Sequence, residues 1–181
     1  MSVKQKLLVH TCCAPCLIAP LPQLKEEWEV TLFWYNPNIH PYMEYLRRRD
    51  TLKEFAAKEQ LPVIWKDEYD LEVSLKNTDG IKCKRCYEMR LAPAARIAAE
   101  HGFDAFTSTL LYSKYQKHDL IKSVGESLST GFGIGFLYQD WRELWQEGID
   151  LSKAADMYRQ PYCGCIYSEK ERYYKQANVM K

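Results

Sequence analysis

Short apolar stretches alternate with longer amphipathic ones along this chain. Short runs that are rich in β-branched and aromatic side chains predict buried strands. These predicted strands are Lys6–His10, Val30–Tyr35, Pro62–Trp65, Phe103–Leu110 and Ile134–Tyr138. Between them, apolar positions that recur every three to four residues predict helices. These predicted helices are a segment that ends near Trp28, then Tyr42–Glu59, Leu71–Leu75, Cys83–His101, His118–Thr130, Trp141–Gln146, Leu151–Arg159 and Ser168–Gln176. Gly102 directly follows one of these helices and is expected to end it in the left-handed conformation.

Strands that alternate with helices favour an α/β fold, with a mostly parallel sheet that is covered by helices on both faces. The chain has no linker rich in Pro, Ser or Gly and no internal repeat, so we expect a single domain over residues 1–181. Ligands bind such sheets at the carboxyl ends of the strands. Residues that directly follow a predicted strand are therefore the first candidates for function.

The composition excludes several classes of protein. Of the 181 residues, 46% are apolar, which is enough to bury a core without disulfide bridges. The mean hydropathy is −0.45 and no apolar run approaches the roughly twenty residues of a membrane span. The 25 basic and 24 acidic side chains leave a net charge of +1, so a nucleic-acid partner would need a local basic patch. The N-terminal segment faintly imitates a secretion signal, but prolines and cysteines interrupt it, and we expect a reducing, cytoplasmic location.

The seven cysteines fall into three groups, each at the boundary of a predicted element. The groups are Cys12-Cys13-Ala14-Pro15-Cys16, Cys83-Lys84-Arg85-Cys86 and Cys163-Gly164-Cys165. The first follows a strand, and the second begins a helix, where the helix dipole favours the thiolate form that binds metals. An odd number of cysteines leaves at least one thiol unpaired. Ligation or redox chemistry is therefore favoured over a disulfide framework.

The spacing of these groups leaves several kinds of site open. Four thiolates can bind zinc, a C-x-x-C pair can act as a thioredoxin-like dithiol, and four thiolates can hold an iron–sulfur cubane. One cubane would leave three thiols over. These could bind a second metal, or Cys163 and Cys165 could cycle between a dithiol and a disulfide.

The cysteine motifs and one further motif resemble those of the QueH family of cobalamin-independent epoxyqueuosine reductases. The matching segments are His10-Thr11-Cys12-Cys13-Ala14-Pro15-Cys16, Tyr35-Asn36-Pro37-Asn38-Ile39, Cys83-Lys84-Arg85-Cys86-Tyr87 and Tyr162-Cys163-Gly164-Cys165. The resemblance implies that the protein removes the epoxide oxygen of epoxyqueuosine at the wobble position of tRNAs with GUN anticodons, the last step in making queuosine. It also implies a 4Fe-4S cluster, an additional iron or other metal ion, and a separate, unidentified electron donor.

The fold that the resemblance implies is Rossmann-like and similar to that of the ATP-dependent tRNA-thiolating enzymes. Those enzymes carry a Ser-Gly-Gly loop after the first strand, whereas the segment from His10 to Cys16 contains no glycine. Without glycine, backbone amides cannot closely surround a phosphate. We therefore expect no use of ATP.

The resemblance also implies roles for individual cysteines. Cys12, Cys13, Cys83 and Cys86 would bind the cluster, and Cys163 and Cys165 would form a redox-active pair or bind the second metal. Cys16 stays open, since it could replace Cys12 or Cys13 on the cluster or join Cys163 and Cys165. Adjacent side chains in an extended turn point to opposite sides, so Cys12 and Cys13 could also serve different centres.

Several polar and aromatic residues are candidates for contacts with the substrate or the tRNA. They are Tyr35, Asn36, Lys84, Arg85, Tyr112, Lys114 and Lys117, with Lys82 and the run Arg47-Arg48-Arg49 as further basic candidates. A solvated helix face is the alternative for the arginine run, because successive helical residues fan around the axis. Core packing is the alternative for Tyr112.

His10 and Asp140 are candidates for an acid or a metal ligand. A structural hydrogen bond is the alternative for His10, and a helix cap is the alternative for Asp140. Our hypothesis for the reaction is that the epoxide oxygen meets an iron or an acid near Cys163 and Cys165. The rival function is a zinc-stabilised RNA-binding module without enzymatic activity.

Overall fold

The structure is a computed structural model that describes the backbone of residues 3–76 and 82–179, and their side chains except at positions 73, 76, 82 and 175–179. Its centre is a five-stranded sheet in which all neighbouring strands pair in parallel. The strands are β1 (Gln5–His10), β2 (Trp28–Trp34), β3 (Val63–Trp65), β4 (Ala105–Ser108) and β5 (Gly135–Phe136). The α/β fold with a parallel sheet is thereby confirmed.

Helices fill the connections between the strands and follow the last one. They are α1 (Leu21–Glu27), α2 (Tyr42–Lys58), α3 (Leu71–Lys76), α4 (Lys82–Glu100), α5 (His118–Phe132), α6 (Trp145–Ala154) and α7 (Ile166–Val179). Right-handed crossovers place α1 and α2 on one face of the sheet and α4 and α5 on the other. In agreement, α4 packs against α5, β1 and β4. None of the helices in the described ranges is long and apolar enough to cross a membrane.

The strand order β3-β2-β1-β4-β5 reverses direction between β1 and β4. At such a switch point the connections leave in opposite directions and open a crevice at the carboxyl ends of the two strands. The central strand β1 is covered on both sides, and its residues Leu7, Leu8 and Val9 have no exposed surface. His10 is its last residue and lies opposite Ser108, the last residue of β4. The segments that follow His10 and Ser108 therefore line the crevice.

The predicted strand Phe103–Leu110 proved too long. β4 ends at Ser108, whose hydroxyl accepts a hydrogen bond from the main-chain N–H of Leu110 and caps a 3₁₀ helix over Thr109–Tyr112. A side chain that satisfies the next backbone donors ends pairing with the neighbouring strand.

The prediction of separate helices at Trp141–Gln146 and Leu151–Arg159 was wrong. A 3₁₀ helix over Arg142–Leu144 leads directly into α6, which ends before Asp156. Asp156 adopts a φ of 50°, a left-handed conformation that a helix cannot continue through. Gly102 was predicted correctly as a left-handed residue after α4, with a φ of 69°.

Candidate metal centre and substrate cavity

The first cysteine group forms a compact set of thiols at the end of β1. The chain bends at Cys12 and enters a 3₁₀ helix over Ala14–Cys16. The Sγ atoms of Cys12 and Cys13 lie 3.7 Å apart, those of Cys13 and Cys16 lie 2.9 Å apart, and all three sulfurs fall within 4.8 Å of one another. The expectation that Cys12 and Cys13 point to opposite sides is therefore wrong, because the bend turns both side chains to one point.

Hydrogen bonds and burial distribute charge unevenly over this set of thiols. Hydrogen bonding with Cys13 and Cys16 holds the pKa of Cys12 well below its ordinary value. Burial raises the pKa of Cys13, and the neighbouring thiols raise the pKa of Cys16. The amide of Gln160 donates from Nε2 to the Sγ atoms of Cys13 at 2.9 Å and Cys16 at 3.3 Å. A donor aimed at two sulfurs favours their anionic, metal-binding form.

The second and third cysteine groups lie close to each other. Cys83 and Cys86 occupy the first two turns of α4, three residues apart and so on the same side of the helix. Burial raises the pKa of Cys86 to about 12, and Cys163, Cys165 and Cys83 are near enough to contribute to that rise. Ionisation of one of these thiols therefore makes ionisation of the others less favourable. Such repulsion is expected among thiolate ligands in the absence of the cation that they would bind.

The loop that carries Cys163 and Cys165 is fixed through its main chain. Arg48 donates from Nη2 to the carbonyl of Tyr162 at 2.9 Å and from Nη1 to the carbonyl of Cys163 at 3.0 Å. The next carbonyl, that of Gly164, accepts from the main-chain N–H of His40 at 2.8 Å. Three successive carbonyls are thus held by donors from the segment around α2, which sets the directions of the cysteine side chains.

Arg48 is buried and paired within the fold, so the arginine run is not a continuous basic face. Arg48 is 1% exposed and forms an ion pair with Glu44 at 2.7 Å. Arg49 pairs with Asp50 and Asp67, and only Arg47 of the three is exposed. Because successive helical residues point in different directions around the axis, one of the three arginines faces the core.

Gln116 links α4 to the third cysteine group. Its Nε2 donates to the Sγ of Cys163 at 3.2 Å, and its Oε1 accepts from the hydroxyl of Tyr87 at 2.8 Å. The Tyr87 hydroxyl in turn accepts from the main-chain N–H of Lys117 at 3.1 Å. These two bonds fix which end of the Gln116 amide faces the sulfur, so its N–H group points at Cys163.

A second buried arginine, Arg90, lies on α4 one turn after Cys86 and is 1% exposed. Burial disfavours its charge, but the thiols of Cys86, Cys12 and Cys163 outweigh burial and keep the pKa of the guanidinium above its ordinary value. One thiol from each of the three groups therefore lies within electrostatic reach of a single cation.

The donor set fits an iron–sulfur group. All seven cysteines are free thiols, and sulfur ligands suit iron–sulfur clusters, zinc and other soft metals. The buried cation Arg90 among the thiols suits an anionic occupant, such as a metal–sulfur group that carries thiolate charge.

His10 is held on both sides by the fold. Its Nε2 donates to the carbonyl of Tyr35 at 3.2 Å, and its Nδ1 accepts from the hydroxyl of Ser108 at 2.8 Å. Burial, assisted by the charge of Arg90, lowers the pKa of His10 to about 4. The ring is neutral at ordinary pH and both nitrogens are engaged, which favours the structural alternative over an acid or a metal ligand.

Asp140 lies outside the cavity and pairs with Arg142, while its Oδ1 accepts the main-chain N–H of Arg142 at 3.1 Å. Hydrogen bonds from the Arg142 side chain hold the pKa of this carboxyl near 2, so Asp140 is ionised and cannot donate a proton. It caps the turn that precedes α6, as the structural alternative predicts.

A cavity of about 710 Å³ opens beside the thiols at the switch point. Cys12, Cys16 and Cys163 line one part of it. Another part is aromatic, where Tyr112 stacks on Trp145 with ring centroids 5.3 Å apart and Tyr115 meets Trp145 edge to face at 5.5 Å. The remaining lining residues include the cationic side chains Arg48, Arg159 and Arg172. The cavity therefore joins a sulfur wall to an aromatic wall.

Tyr112 fits both roles that the sequence suggested, a substrate contact and core packing. It is 3% exposed and its hydroxyl donates to the carbonyl of Trp145 at 2.9 Å, yet its ring edge lines the cavity. Gly148 of α6 lies against it, and a Cβ at that position would come within 2.1 Å of the Tyr112 hydroxyl oxygen. Glycine is needed here because the ring occupies the space of a side chain.

Tyr35 and Asn36 do not line the cavity, contrary to expectation. Tyr35 is 8% exposed, and Lys66 lies over its ring at 4.3 Å. Asn36 is fully buried and donates to the carbonyl of Thr11 at 3.0 Å. Both residues serve to fix the ends of β1 and β2, because side chains at the end of a strand can face the core as well as a ligand.

Among the basic candidates, four are exposed but lie outside the residues that line the cavity, namely Lys84, Arg85, Lys114 and Lys117. Lys84 pairs with Glu88 at 3.7 Å, and Arg85 is exposed on the same helix. Lys114 and Lys117 are exposed and flank Tyr115 and Gln116 in the loop before α5. The side chain of Lys82 lies outside the described part of the structure.

Sequence reasoning missed several residues of the site. They are Arg90, Trp145, Arg159, Gln160 and Arg172. A polar residue four positions after Cys86 was one available signal for Arg90, since that spacing puts it on the same side of α4. Arg159 is the last residue of the predicted helix Leu151–Arg159, and Gln160 directly follows it.

The fold resembles that of a solved structure from Methanocaldococcus jannaschii, described as a predicted subunit of a tRNA methyltransferase. The two agree with a TM-score of 0.51 over 82% of this chain and 76% of that one, at 16% sequence identity. A likeness at this identity supports the fold alone.

Sequence comparisons are more specific. The chain matches the family model described as Epoxyqueuosine reductase QueH over residues 7–171. It is 38% identical to the Epoxyqueuosine reductase QueH of Dehalococcoides mccartyi, covering 94% of this chain and 96% of the relative. The relative of that name from Thermotoga maritima is 32% identical over 97% and 96% of the two chains, and that from Haemophilus influenzae is 37% identical over 92% and 72%. The three cysteine groups all lie within the matched range, and the chain belongs to the epoxyqueuosine reductase QueH family.

Proposed function

We propose that this protein is an epoxyqueuosine reductase that acts on the wobble nucleotide of tRNAs with GUN anticodons, with residues 1–181 as one catalytic domain. The observation that carries the proposal is that three cysteine groups, from distant parts of the sequence, lie within electrostatic reach of the buried cation Arg90, and that thiols of the first and third groups line one cavity at the switch point of the sheet. Membership in the family supports the same reaction.

The reaction removes an oxygen atom from carbon. Two C–O bonds of the epoxide break, a C=C π bond forms, and the oxygen leaves as water after it takes up two electrons and two protons. An unidentified electron donor supplies the electrons from outside.

We propose that Cys12, Cys13, Cys83 and Cys86 bind a 4Fe-4S cluster. Cys16 is the alternative ligand, because its sulfur lies 2.9 Å from that of Cys13. A bound cluster would supply electrons one at a time. All seven thiols are free, which supports both metal ligation and a reducing, cytoplasmic location.

We assign the second redox centre to Cys163 and Cys165, with Cys16 as a further candidate ligand if an additional iron or other metal binds there. In the metal-free form, two S–H bonds break and one S–S bond forms, which provides the two electrons and two protons that the epoxide requires. The outside donor then reduces the disulfide. Cys163 lines the cavity and Arg48 fixes its main chain, so its sulfur faces a bound substrate.

The modified base enters the cavity in this proposal. Tyr115 is 83% exposed at the aromatic wall and can stack on an unpaired anticodon base. Arg159 and Arg172 line the cavity and are exposed, so they can meet the flanking phosphates. Lys114 and Lys117, beside Tyr115, extend this basic rim and offset the near-zero net charge of the chain.

The test is anaerobic purification followed by iron, sulfide and zinc analysis and by turnover. The protein is incubated with epoxyqueuosine-containing tRNA and reduced methyl viologen, and the nucleosides are separated by mass spectrometry. We expect a brown protein and conversion to a nucleoside that lacks one oxygen. Iron and sulfide should be present in equal amounts, or with iron in excess where an additional iron binds at the second centre. A colourless protein that holds only zinc, binds the tRNA and leaves the nucleoside unchanged would instead identify the zinc-stabilised RNA-binding module.

A further inference from the structure

Arg90 is a buried cation that has no acidic partner among the residues that the structure describes. Its side chain is 1% exposed, and its Nε and Nη2 atoms make no hydrogen bond. None of the ion pairs among the described residues includes Arg90, whereas the other buried arginine, Arg48, has Glu44. A buried charge is costly unless an opposite charge and hydrogen-bond acceptors surround it. The negative charge must therefore come from another part of the site.

The surroundings of Arg90 indicate where that charge lies. Cys86 lies one turn before it on the same side of α4, and α4 packs against β1, whose end leads into Cys12. The thiols of Cys86, Cys12 and Cys163 all act electrostatically on the guanidinium, so one thiol of each cysteine group lies within electrostatic reach of it. The geometry that places it there is its burial on α4, one turn after Cys86 and on the helix that packs against β1.

We propose that Arg90 is the positioning residue of the metal centre. Its guanidinium supplies the positive charge and the unpaired N–H donors that hold a thiolate-bound metal–sulfur group among the three cysteine groups, and it makes that group easier to reduce. This inference rests on the proposed function, because it requires a metal–sulfur group at the site.

The direction of the effect follows from electrostatics. Reduction adds an electron to a group that is already anionic, and a neighbouring cation stabilises the more negative state. Hydrogen bonds to cluster sulfur atoms act in the same direction. Arginine suits this place because its planar fork keeps its charge under burial and offers several donors in fixed directions.

The experiment compares Arg90→Gln and Arg90→Lys with the wild-type protein. Arg96→Gln is the matched control, because Arg96 lies on the same helix with an exposed side chain, paired with Glu100 at 3.4 Å. Each protein is reconstituted anaerobically with iron and sulfide. The metal content and the midpoint potential are then measured, and circular dichroism of the metal-free protein reports on folding.

We expect the equilibrium constant for one-electron reduction to fall about tenfold in Arg90→Gln, which corresponds to about 59 mV. Arg90→Lys should retain most of the wild-type equilibrium constant for reduction, and Arg96→Gln should match the wild type. If Arg90→Gln is folded but loads at least tenfold less iron, and Arg90→Lys loads normally, the requirement for charge is equally supported. A fully loaded Arg90→Gln protein with the wild-type potential would overturn the inference. So would equal loss of iron in both Arg90 variants together with unfolding of the metal-free protein, since Arg90 would then act only in packing.

The two proposals fail at different steps. If the wild-type protein loads zinc and no cluster, the proposed function is wrong before Arg90 is tested. The Arg90 comparison is then made on zinc affinity, measured by competition with a chelator. A tenfold weaker affinity in Arg90→Gln that Arg90→Lys restores would keep the positioning role, and an unchanged affinity would exclude it.

Discussion

Arg48 donates a hydrogen bond of 3.0 Å from its guanidinium to the main-chain carbonyl of Cys163, across 115 residues of sequence. The same guanidinium pairs with Glu44 and reaches the carbonyl of Tyr162. One side chain of α2 thus fixes the loop that carries the third cysteine group. The redox chemistry proposed for that loop depends on a residue that neither binds metal nor titrates.

Arg48→Met should destabilise the protein by about 3–5 kcal/mol, because it leaves buried Glu44 without its cationic partner, with the hydroxyl of Tyr158 as its remaining donor, and frees two carbonyls. Urea unfolding of the metal-free protein measures this. Arg49→Gln is the control, since its pairs with Asp50 and Asp67 lie at the surface and should contribute about 0–1 kcal/mol. Equal losses of stability in the two variants would contradict a stabilising role for the buried contacts of Arg48.

Gly148→Ala should cost about 1–3 kcal/mol and weaken substrate binding. The added Cβ would lie 2.1 Å from the hydroxyl oxygen and 2.7 Å from Cζ of Tyr112, so the ring must move into the cavity. Thermal unfolding and tRNA binding are the measurements. Gly131→Ala is the control, because no atom lies within 4 Å of the new Cβ, and it should leave stability unchanged or slightly higher.

Cys163→Ser should retain a cluster but lose multiple turnover, because it removes one thiol of the proposed redox pair. Cys86→Ser should lose iron instead, because it removes a proposed cluster ligand. Iron and sulfide content and the yield of deoxygenated nucleoside distinguish the two. Full turnover by Cys163→Ser would contradict a second redox centre at this loop.

Cys16→Ser tests the alternative that the compact thiol set leaves open. With Cys16 as a cluster ligand, the variant should lose iron as Cys86→Ser does. With Cys16 at the second centre, the cluster should remain and turnover should fall. Iron that stays at the wild-type level together with unchanged turnover would exclude both roles.

Tyr115→Ala should weaken tRNA binding about tenfold, because stacking of one base on an aromatic ring contributes roughly 1–3 kcal/mol. The salt dependence of tRNA binding should not change in this variant.

Lys114→Ala should instead reduce the steepness of the plot of log K for tRNA binding against log salt by about 0.7–0.9, as expected for one lost phosphate contact. Lys25→Ala is the control, since Lys25 pairs with Glu59 near the start of β2, at the opposite edge of the sheet. An unchanged slope for Lys114→Ala would remove that lysine from the interface.

The elements with strong periodicity were predictable, whereas the end of β4 and the helices between β5 and the third cysteine group were not. β1, α2 and α4 agree with prediction within a few residues, because long amphipathic or fully buried patterns override local detail. The end of β4 and the helices after β5 were wrong, because a serine cap and a left-handed aspartate decide them. Such features depend on single hydrogen bonds or dihedral angles that a hydrophobic pattern does not contain.

The sequence by itself determined the α/β fold, the three cysteine groups and the chemistry that sulfur donors permit, since strand and helix periods and ligand types are local properties. Only the tertiary structure decided which donors meet. In the folded chain, Arg48 faces inward and holds the Cys163 loop, and Arg90 lies within electrostatic reach of all three cysteine groups. Four residues that the sequence suggested for the site do not line the cavity, namely His10, Asp140, Tyr35 and Asn36. The physical reason is that side chains from β1, α4 and the loop before α7 come together at the switch point of a parallel sheet, and their partners there lie far away in sequence.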